Sequence, residues 1–173
     1  MRHDLKDLIR SIPDFPKQGI LFRDVTTLLK DKHGFKHAIQ CLAAKYRDAD
    51  IDKIVCIEAR GFILGGALAY DLGCGVVVIR KPGKLPSETV SQTYQLEYGT
   101  DRIEIHKDAL EQGDRVLLVD DLLATGGTAR AAADLVERLG GVIVGCAFLV
   151  ELGDLKGRNL LAKYEVFSLI VYD

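Results

Sequence analysis

The chain has 173 residues, of which 48% are hydrophobic and 28% charged, and its formal net charge is −2. This length suits one domain with a buried core, and the near-neutral charge argues against a general nucleic-acid or membrane-surface binder. The charged N-terminus lacks an apolar signal region, and the longest apolar run, GVIVGCAFLV, is too short to span a bilayer. Four scattered cysteines without a CxxC pair are typical of reduced thiols. We therefore expect a single cytoplasmic domain over residues 1–173, with no membrane or nucleic-acid partner.

Hydrophobic spacing predicts four helices along the chain. The first covers DLKDLIRSI and ends at PDFP, and the second covers GFKHAIQCLAAKYR. The third, FILGGALAYDLG, stops at Gly73, and the fourth is the alanine-rich GTARAAADLVERLGG. Apolar runs separate these helices, and the pattern predicts alternating strands and helices.

Four short apolar runs predict buried strands: KIVCI, GVVVI, VLLV and VIVGCAFLV. Continuous Val/Ile/Leu strands that alternate with helices indicate a doubly wound α/β fold with a mainly parallel sheet flanked by helices. Ligands of such sheets bind beyond the carboxyl ends of the strands. The loops EARG, RKPGK and DDLLATGGT all fall at that edge.

Residues 81–106 interrupt this alternation. Two prolines and a glycine come first, and SQTYQLEYG and DRIEIH then alternate as in a β-hairpin. A long polar excursion at the ligand edge predicts a lid.

The stretch VDDLLATGGT predicts a site for a ligand with two different ends. The turn opens a helix, where free backbone N–H groups and hydroxyls of Thr125 and Thr128 suit an anion. Asp120 and Asp121 stand just before it and need hydroxyls, a metal or basic partners. The chain contains neither a P-loop nor a GxGxxG motif. A sugar 5-phosphate satisfies both halves, whereas an N-capped turn with Thr128 is the simpler alternative.

The motif resembles the 5-phosphoribosyl 1-pyrophosphate (PRPP) motif of the type I phosphoribosyltransferases, in the version found in the members that act on adenine. Four more stretches match that family in order between residues 13 and 128: PDFPKQGILFRDVTTLL, IEARGF, VIRKPGKLP and YQLEYGTD. The resemblance implies transfer of the phosphoribosyl group to adenine, giving AMP and pyrophosphate in purine salvage. It also implies a small N-terminal hood over residues 1–33, a flexible lid, Mg²⁺ as cofactor and a homodimer.

Residue by residue, the resemblance implies a binding site for PRPP and AMP. Asp120 and Asp121 would hold the ribose hydroxyls near a Mg²⁺ that is bound mainly by the pyrophosphate and ribose of the substrate. Arg60 would neutralise charge on the pyrophosphate as a catalytic residue. The other implied PRPP- and AMP-binding residues are Glu58, Ala59, Arg80, Lys81, Lys84, Tyr98, Ala124, Thr125, Gly126, Gly127 and Thr128.

The resemblance also implies how the base is recognised. Phe22 would stack on adenine, and the backbone of Leu21 and Arg23 would pair with its edge, although core packing is the simpler role for Phe22. Relatives that use 6-oxopurines usually carry an aspartate where this chain has Ala124, so Ala124 favours adenine. The remaining candidate for proton transfer at the base is Glu97 in the lid, whose simpler role is an exposed hairpin glutamate.

Two alternatives stay open from the sequence. The same chemistry could act on hypoxanthine, guanine or xanthine, against which Ala124 and LEYG argue. A regulator with this fold could instead sense PRPP and bind nucleic acid, against which the net charge of −2 argues.

Overall fold

The computed structural model describes residues 4–96 and 99–173. These form two compact units, one ending at Cys41 and the other covering Leu42–Asp173. The single-domain prediction for residues 1–173 stays a prediction. Within the described ranges, the helices are too short or too polar to cross a membrane.

Strands and helices alternate over residues 53–79 and over residues 115–152, as the sequence predicts. The helices are α1 (Thr26–Leu29), α2 (Lys32–Tyr46), α3 (Arg60–Leu72) and α4 (Gly127–Arg138), with 3-10 helices at Leu5–Leu8, Gly153–Leu155 and Gly157–Leu161. The strands are β1 (Arg10–Ile12), β2 (Phe22–Asp24), β3 (Lys53–Ile57), β4 (Gly75–Ile79), β5 (Thr89–Gln95), β6 (Thr100–His106), β7 (Arg115–Leu123), β8 (Val142–Leu152) and β9 (Val166–Tyr172).

A parallel five-stranded sheet, in the order β4-β3-β7-β8-β9, forms the centre of the larger unit. Its strands are rich in β-branched and aliphatic residues because neighbouring strands and helices bury them on both faces. Helix α3 packs against β3 and β7, and α4 packs against β7 and β8. The predicted α/β fold with a mainly parallel sheet is thereby confirmed.

The core of this unit lies beneath α4. Its three consecutive alanines Ala131, Ala132 and Ala133 are almost completely buried, which lets the helix approach the sheet closely. The large side chain of Phe148 on β8 is fully buried in the same cluster. This tightly packed base fixes the first turn of α4 relative to the end of β7.

The N-terminal helix predicted over DLKDLIRSI is wrong in its second half. A 3-10 helix covers only Leu5–Leu8, and the chain then forms β1, which pairs antiparallel with β2. The guanidinium of Arg10 lies 2.5 Å from the Asp24 carboxylate across this pair. Tertiary pairing therefore overrides the helical spacing of the apolar residues.

Two other elements complete the larger unit. The hairpin predicted within residues 81–106 is present as β5 and β6, which pair from Thr89 with His106 to Gln95 with Thr100. Strand β9, by contrast, has no counterpart among the predicted elements, although VFSLIVY has the β-branched and aromatic composition of a strand.

Candidate functional site

A cavity of about 300 Å³ opens at the carboxyl ends of β3 and β7 in the larger unit. It lies where polar loops follow parallel strands, as expected for this class of sheet. Its wall contains many of the predicted site residues. They are Glu58, Ala59, Arg60, Lys81, Asp120, Asp121, Ala124, Thr125, Gly126, Gly127 and Thr128.

The turn from Ala124 to Thr128 connects β7 to α4. Gly126 has a φ of +86° and precedes the first helical residue without offering a side chain to cap the helix. The first N–H groups of a helix have no intrahelical acceptor, and the helix dipole places partial positive charge there. The turn therefore presents donors and positive charge to the cavity, as a phosphate requires.

Asp120 and Asp121 are adjacent residues near the end of β7, which continues to Leu123, and they differ in their surroundings. The backbone N–H of Asp121 donates to Oδ1 of Asp120 at 2.8 Å, and the Asp121 carboxylate accepts a hydrogen bond from Nε of Arg60. Burial and the neighbouring charge of Asp121 raise the pKa of Asp120 well above its usual range. The pair thus concentrates negative charge that hydroxyl donors or a cation would stabilise.

Glu58 organises the loop after β3. Its Oε2 accepts from Lys84 Nζ at 2.8 Å, its Oε1 accepts from the backbone N–H of Lys81, and Arg80 Nε lies 3.7 Å from Oε1. Burial alone would raise the pKa of Glu58, but the hydrogen bonds from Lys84 and Lys81 and the nearby cations leave it below its usual value. The peptide bond between Glu58 and Ala59 is cis. Glu58 therefore connects the cavity wall to the Lys84 side chain and the Lys81 backbone, whereas the predicted residues Arg80 and Lys84 do not themselves line the cavity.

Lys81 also contacts the β5–β6 hairpin. Its ammonium pairs with the Asp101 carboxylate and lies 3.3 Å from the Tyr94 hydroxyl. Partial burial opposes a charged Lys81, but the hydrogen bond to Asp101 dominates and raises the pKa of Lys81. The hydrogen bond from Lys81 also lowers the pKa of Asp101. Lys81 is thus held as a cation at the cavity wall by a residue of the hairpin.

The predicted base-binding residues belong to the N-terminal unit. The Phe22 ring packs edge-on against Phe15 with centroids 5.1 Å apart, and Arg23 donates to the Ser11 hydroxyl. Leu21 is exposed. The lid residues Glu97 and Tyr98 lie outside the described residues, so their predicted roles stay predictions.

Sequence reasoning missed several cavity residues. Tyr94 lines the cavity and Asp101 pairs with Lys81, yet both stand in stretches quoted for the motif match. Alternation along β5 could have suggested which side chains share a face, but not which face meets the cavity. The remaining lining residues that were missed are apolar: Ile57, Ile103, Leu122, Leu123 and Ala129.

The donor set at the cavity suits a metal that the ligand brings with it. Within residues 4–96 and 99–173, three or more His, Cys, Asp or Glu side chains nowhere cluster into a metal-binding group. Asp120 and Asp121 supply two carboxylates, which is the number that Mg²⁺ commonly takes from a protein when substrate phosphates and water complete its shell.

Comparison with known proteins identifies the family of the chain. Residues 25–173 match the family model described as phosphoribosyl transferase domain. The adenine phosphoribosyltransferase of Chlorobium luteolum is 62% identical over 173 residues, which is 98% of each chain.

Solved structures agree in fold over nearly the whole chain. The adenine phosphoribosyltransferase of Thermoanaerobacter pseudethanolicus superposes with a TM-score of 0.95 at 55% identity, covering 97% of this chain and 98% of that one. The enzyme of Saccharomyces cerevisiae was solved with an imino-altritol bisphosphate and adenine. It superposes with a TM-score of 0.92 at 43% identity, covering 95% of this chain and 96% of that one.

Proposed function

The chain belongs to the phosphoribosyl transferase domain family, and on that premise we propose that it transfers the phosphoribosyl group of PRPP to adenine. The products would be AMP and pyrophosphate. The observation that carries the proposal is one cavity in which a phosphate-binding turn, two carboxylates and a cationic edge meet. Those three parts match the 5-phosphate, the ribose hydroxyls and the pyrophosphate of PRPP.

The reaction needs charge stabilisation at both ends of the breaking bond. Pyrophosphate leaves C1 of the ribose with the bonding electrons while N9 of adenine forms the new bond and its proton passes to a base. The ribose carries oxocarbenium character between these events. We propose that Arg60, Lys81, Lys84 and Arg80 offset the charge of the leaving pyrophosphate, because preorganised cations cost no reorganisation during the reaction.

The 5-phosphate end would be held without a side-chain cation. Backbone N–H groups of the turn at the start of α4 and the hydroxyls of Thr125 and Thr128 would donate to its oxygens. Asp120 and Asp121 would accept hydrogen bonds from the ribose hydroxyls. Mg²⁺ bound by the substrate near these carboxylates would add positive charge on the pyrophosphate.

At the base, we propose stacking on Phe22, backbone pairing through Leu21 and Arg23, and proton transfer by Glu97, with Tyr98 beside it as a PRPP- and AMP-binding residue. Ala124 supports adenine over the 6-oxopurines because its methyl group cannot accept a proton from a purine nitrogen. The adenine bound in the Saccharomyces cerevisiae structure supports the same base.

We also propose a cytoplasmic homodimer. Ile63 and Tyr70 on α3 are 49% and 92% exposed, and Val76 on the edge strand β4 is 47% exposed. Such apolar side chains suit a face covered by a second copy. Free thiols at all four cysteines support a reducing compartment, as in the cytoplasm.

The dimer is tested by light scattering, which should give the mass of two chains. The mass of one chain at working concentration would contradict the dimer.

The direct test is AMP formation from adenine and PRPP, with and without Mg²⁺. We expect AMP only with the metal, and removal of Mg²⁺ by EDTA should lower the rate by about hundredfold or more because the pyrophosphate charge is left unshielded. Hypoxanthine, guanine and xanthine serve as matched substrates and should give little product. Faster turnover of any of these three would contradict the base assignment, and PRPP binding without turnover of any base would favour a sensor.

A second test concerns the contact between Lys81 and Asp101. Asp101→Asn removes the carboxylate that competes with pyrophosphate for Lys81, so pyrophosphate should bind about two- to fivefold more tightly, as befits a partly exposed ion pair. Calorimetry at low and high salt measures this, and Glu88→Gln, which removes the exposed partner of Lys107, is the control. Weaker binding by Asp101→Asn would mean that Asp101 supports the site instead of competing with the ligand.

A further inference from the structure

The chain segment that follows β8 lies directly against the phosphate turn. Gly157 is buried, and a Cβ placed on it would fall 3.0 Å from the backbone N of Gly126 and much closer to the carbonyl oxygen of Ala124. A Cβ on Gly126 would in turn fall 3.1 Å from Cα of Gly157. The two backbones therefore touch without room for a single extra carbon on either side.

This backbone contact bears on ligand binding because it fixes the direction of the donors in the turn. The Gly126 backbone is left-handed, and its N–H precedes those of the first turn of α4. A phosphate that accepts hydrogen bonds from several backbone N–H groups binds less tightly if these groups move by a fraction of an ångström. Residues outside the cavity can thus set phosphate affinity through the position of this backbone.

An ion pair holds Gly157 in place. Arg158 donates from Nε to Oε1 of Glu151 at 2.6 Å and from a terminal nitrogen to the carbonyl of Val166 at 2.8 Å. The Glu151 side chain is only 5% exposed, and its Cα partner across the sheet is Leu123, the residue just before the turn. Burial alone would raise the pKa of Glu151, but the hydrogen bond from Arg158 leaves it below its usual value.

We propose that Gly153–Leu161 is a positioning segment for the phosphate turn, in which Gly157 supports the Ala124–Gly126 backbone and Arg158 fixes Gly157 through Glu151. The inference rests on the proposed function only in taking the turn as the site of the 5-phosphate. Gly157, Arg158 and Glu151 act through the turn and do not touch the ligand.

The role predicts a selective loss of affinity for the 5-phosphate. Gly157→Ala should weaken binding of ribose 5-phosphate by about tenfold or more, which corresponds to one lost charge-assisted hydrogen bond. Binding of pyrophosphate, which would use the cationic edge at Glu58–Arg60 instead, should stay within about twofold, because Gly157 and Arg158 contact the turn, Glu151 and Val166. Arg158→Ala should also weaken the binding of ribose 5-phosphate. Arg158→Lys should recover part of the lost affinity, because lysine keeps the positive charge but not the planar guanidinium with its several donors.

Calorimetric titration of each variant with ribose 5-phosphate and, separately, with pyrophosphate and Mg²⁺ tests this. Gly66→Ala is the glycine control, since a Cβ there meets nothing within 4 Å, and Arg47→Ala removes an arginine from an exposed pair with Asp71. Both controls should bind the two ligands as the unmodified chain does. Thermal unfolding of each variant reports whether it is folded.

Unchanged ribose 5-phosphate affinity in folded Gly157→Ala and Arg158→Ala would overturn the inference, as would an equal loss for both ligands. If Gly157→Ala does not fold, the comparison of Arg158→Ala with Arg158→Lys decides. The proposed function fails separately, when the unmodified chain makes no AMP while the binding differences persist. If the unmodified chain makes AMP and the Gly157 and Arg158 variants bind ribose 5-phosphate normally, the positioning role is refuted while the proposed function stands.

Discussion

Replacing Asp120 by asparagine should stabilise the protein and inactivate it at the same time. Asparagine keeps an oxygen for the N–H of Asp121 but removes the half-buried charge beside the Asp121 carboxylate. We expect the free energy of unfolding at pH 7 to rise, because the neutral amide removes the desolvation cost and the like-charge repulsion that raise the pKa of Asp120. The value of kcat/KM should fall by about hundredfold or more, because the ribose hydroxyls lose a charged acceptor.

The pH dependence of this stabilisation has a definite sign. A carboxyl whose pKa is higher in the folded chain than in the unfolded chain binds its proton more tightly when folded, so its ionisation weakens the fold as pH rises. The gain from Asp120→Asn should therefore be present at pH 7 and vanish below about the ordinary value of 3.8. Urea unfolding at both pH values measures this. Asp71→Asn, at an exposed pair, should change stability by less than about 0.5 kcal/mol.

A less stable Asp120→Asn variant at pH 7 would contradict the burial argument. It would show that the ionised carboxylate is stabilised in the folded chain by more than the like charge of Asp121 costs. Full activity in the same variant would separately contradict the ribose assignment. Destabilised like-charge pairs at functional sites are expected, since activity and stability place opposing demands on them.

Replacing Glu97 by alanine should produce the largest loss of turnover among the lid residues. If Glu97 handles the proton of adenine, kcat should fall by about 10²- to 10⁴-fold, while KM for PRPP changes by only a few-fold. Steady-state kinetics with both substrates varied measures the two quantities. Glu97→Gln should be nearly as slow, because it keeps the shape but cannot take up a proton.

The segment predicted as a lid offers a matched comparison in Glu88, whose side chain is 80% exposed. Glu88→Ala should leave kcat within about twofold, as expected for an exposed residue away from the cavity. Nearly full turnover by Glu97→Ala would remove Glu97 from the mechanism. A pH–rate profile that loses one limb only in Glu97→Gln would support proton transfer.

The sequence predicted those parts of the fold that local pattern determines. The strands ending at Ile57 and Ile79 and the helix stopped by Gly73 could be read from apolar runs and a glycine terminator. The segment around Arg10 could not, because its pairing with Asp24 depends on a contact 14 residues away in the chain. Local spacing favours a helix there, and pairing with β2 decides otherwise.

The same distinction applies to the candidate site. The acids and the turn of VDDLLATGGT are close in the chain, so the motif placed both at the carboxyl end of one strand, β7. Asp101 was missed because its contact with Lys81 joins the hairpin to another loop, and Gly157 was missed because it meets Gly126 across 31 positions. Functional residues that are neighbours in the chain can be predicted from the sequence, whereas supporting contacts between distant segments can be identified only in the folded structure.

The cations around the cavity already have acidic partners within the protein: Asp121 for Arg60, Asp101 for Lys81 and Glu58 for Lys84. An anion that binds to one of these cations must therefore displace the carboxylate that is already paired with it. A single phosphate ion gains little from such an exchange, since it displaces one carboxylate to make one comparable contact. A pyrophosphate group that carries several charges and a divalent ion can displace several at once. If the cavity binds PRPP as proposed, these internal pairs would favour pyrophosphate with its divalent ion over a single inorganic phosphate ion at the cationic side chains.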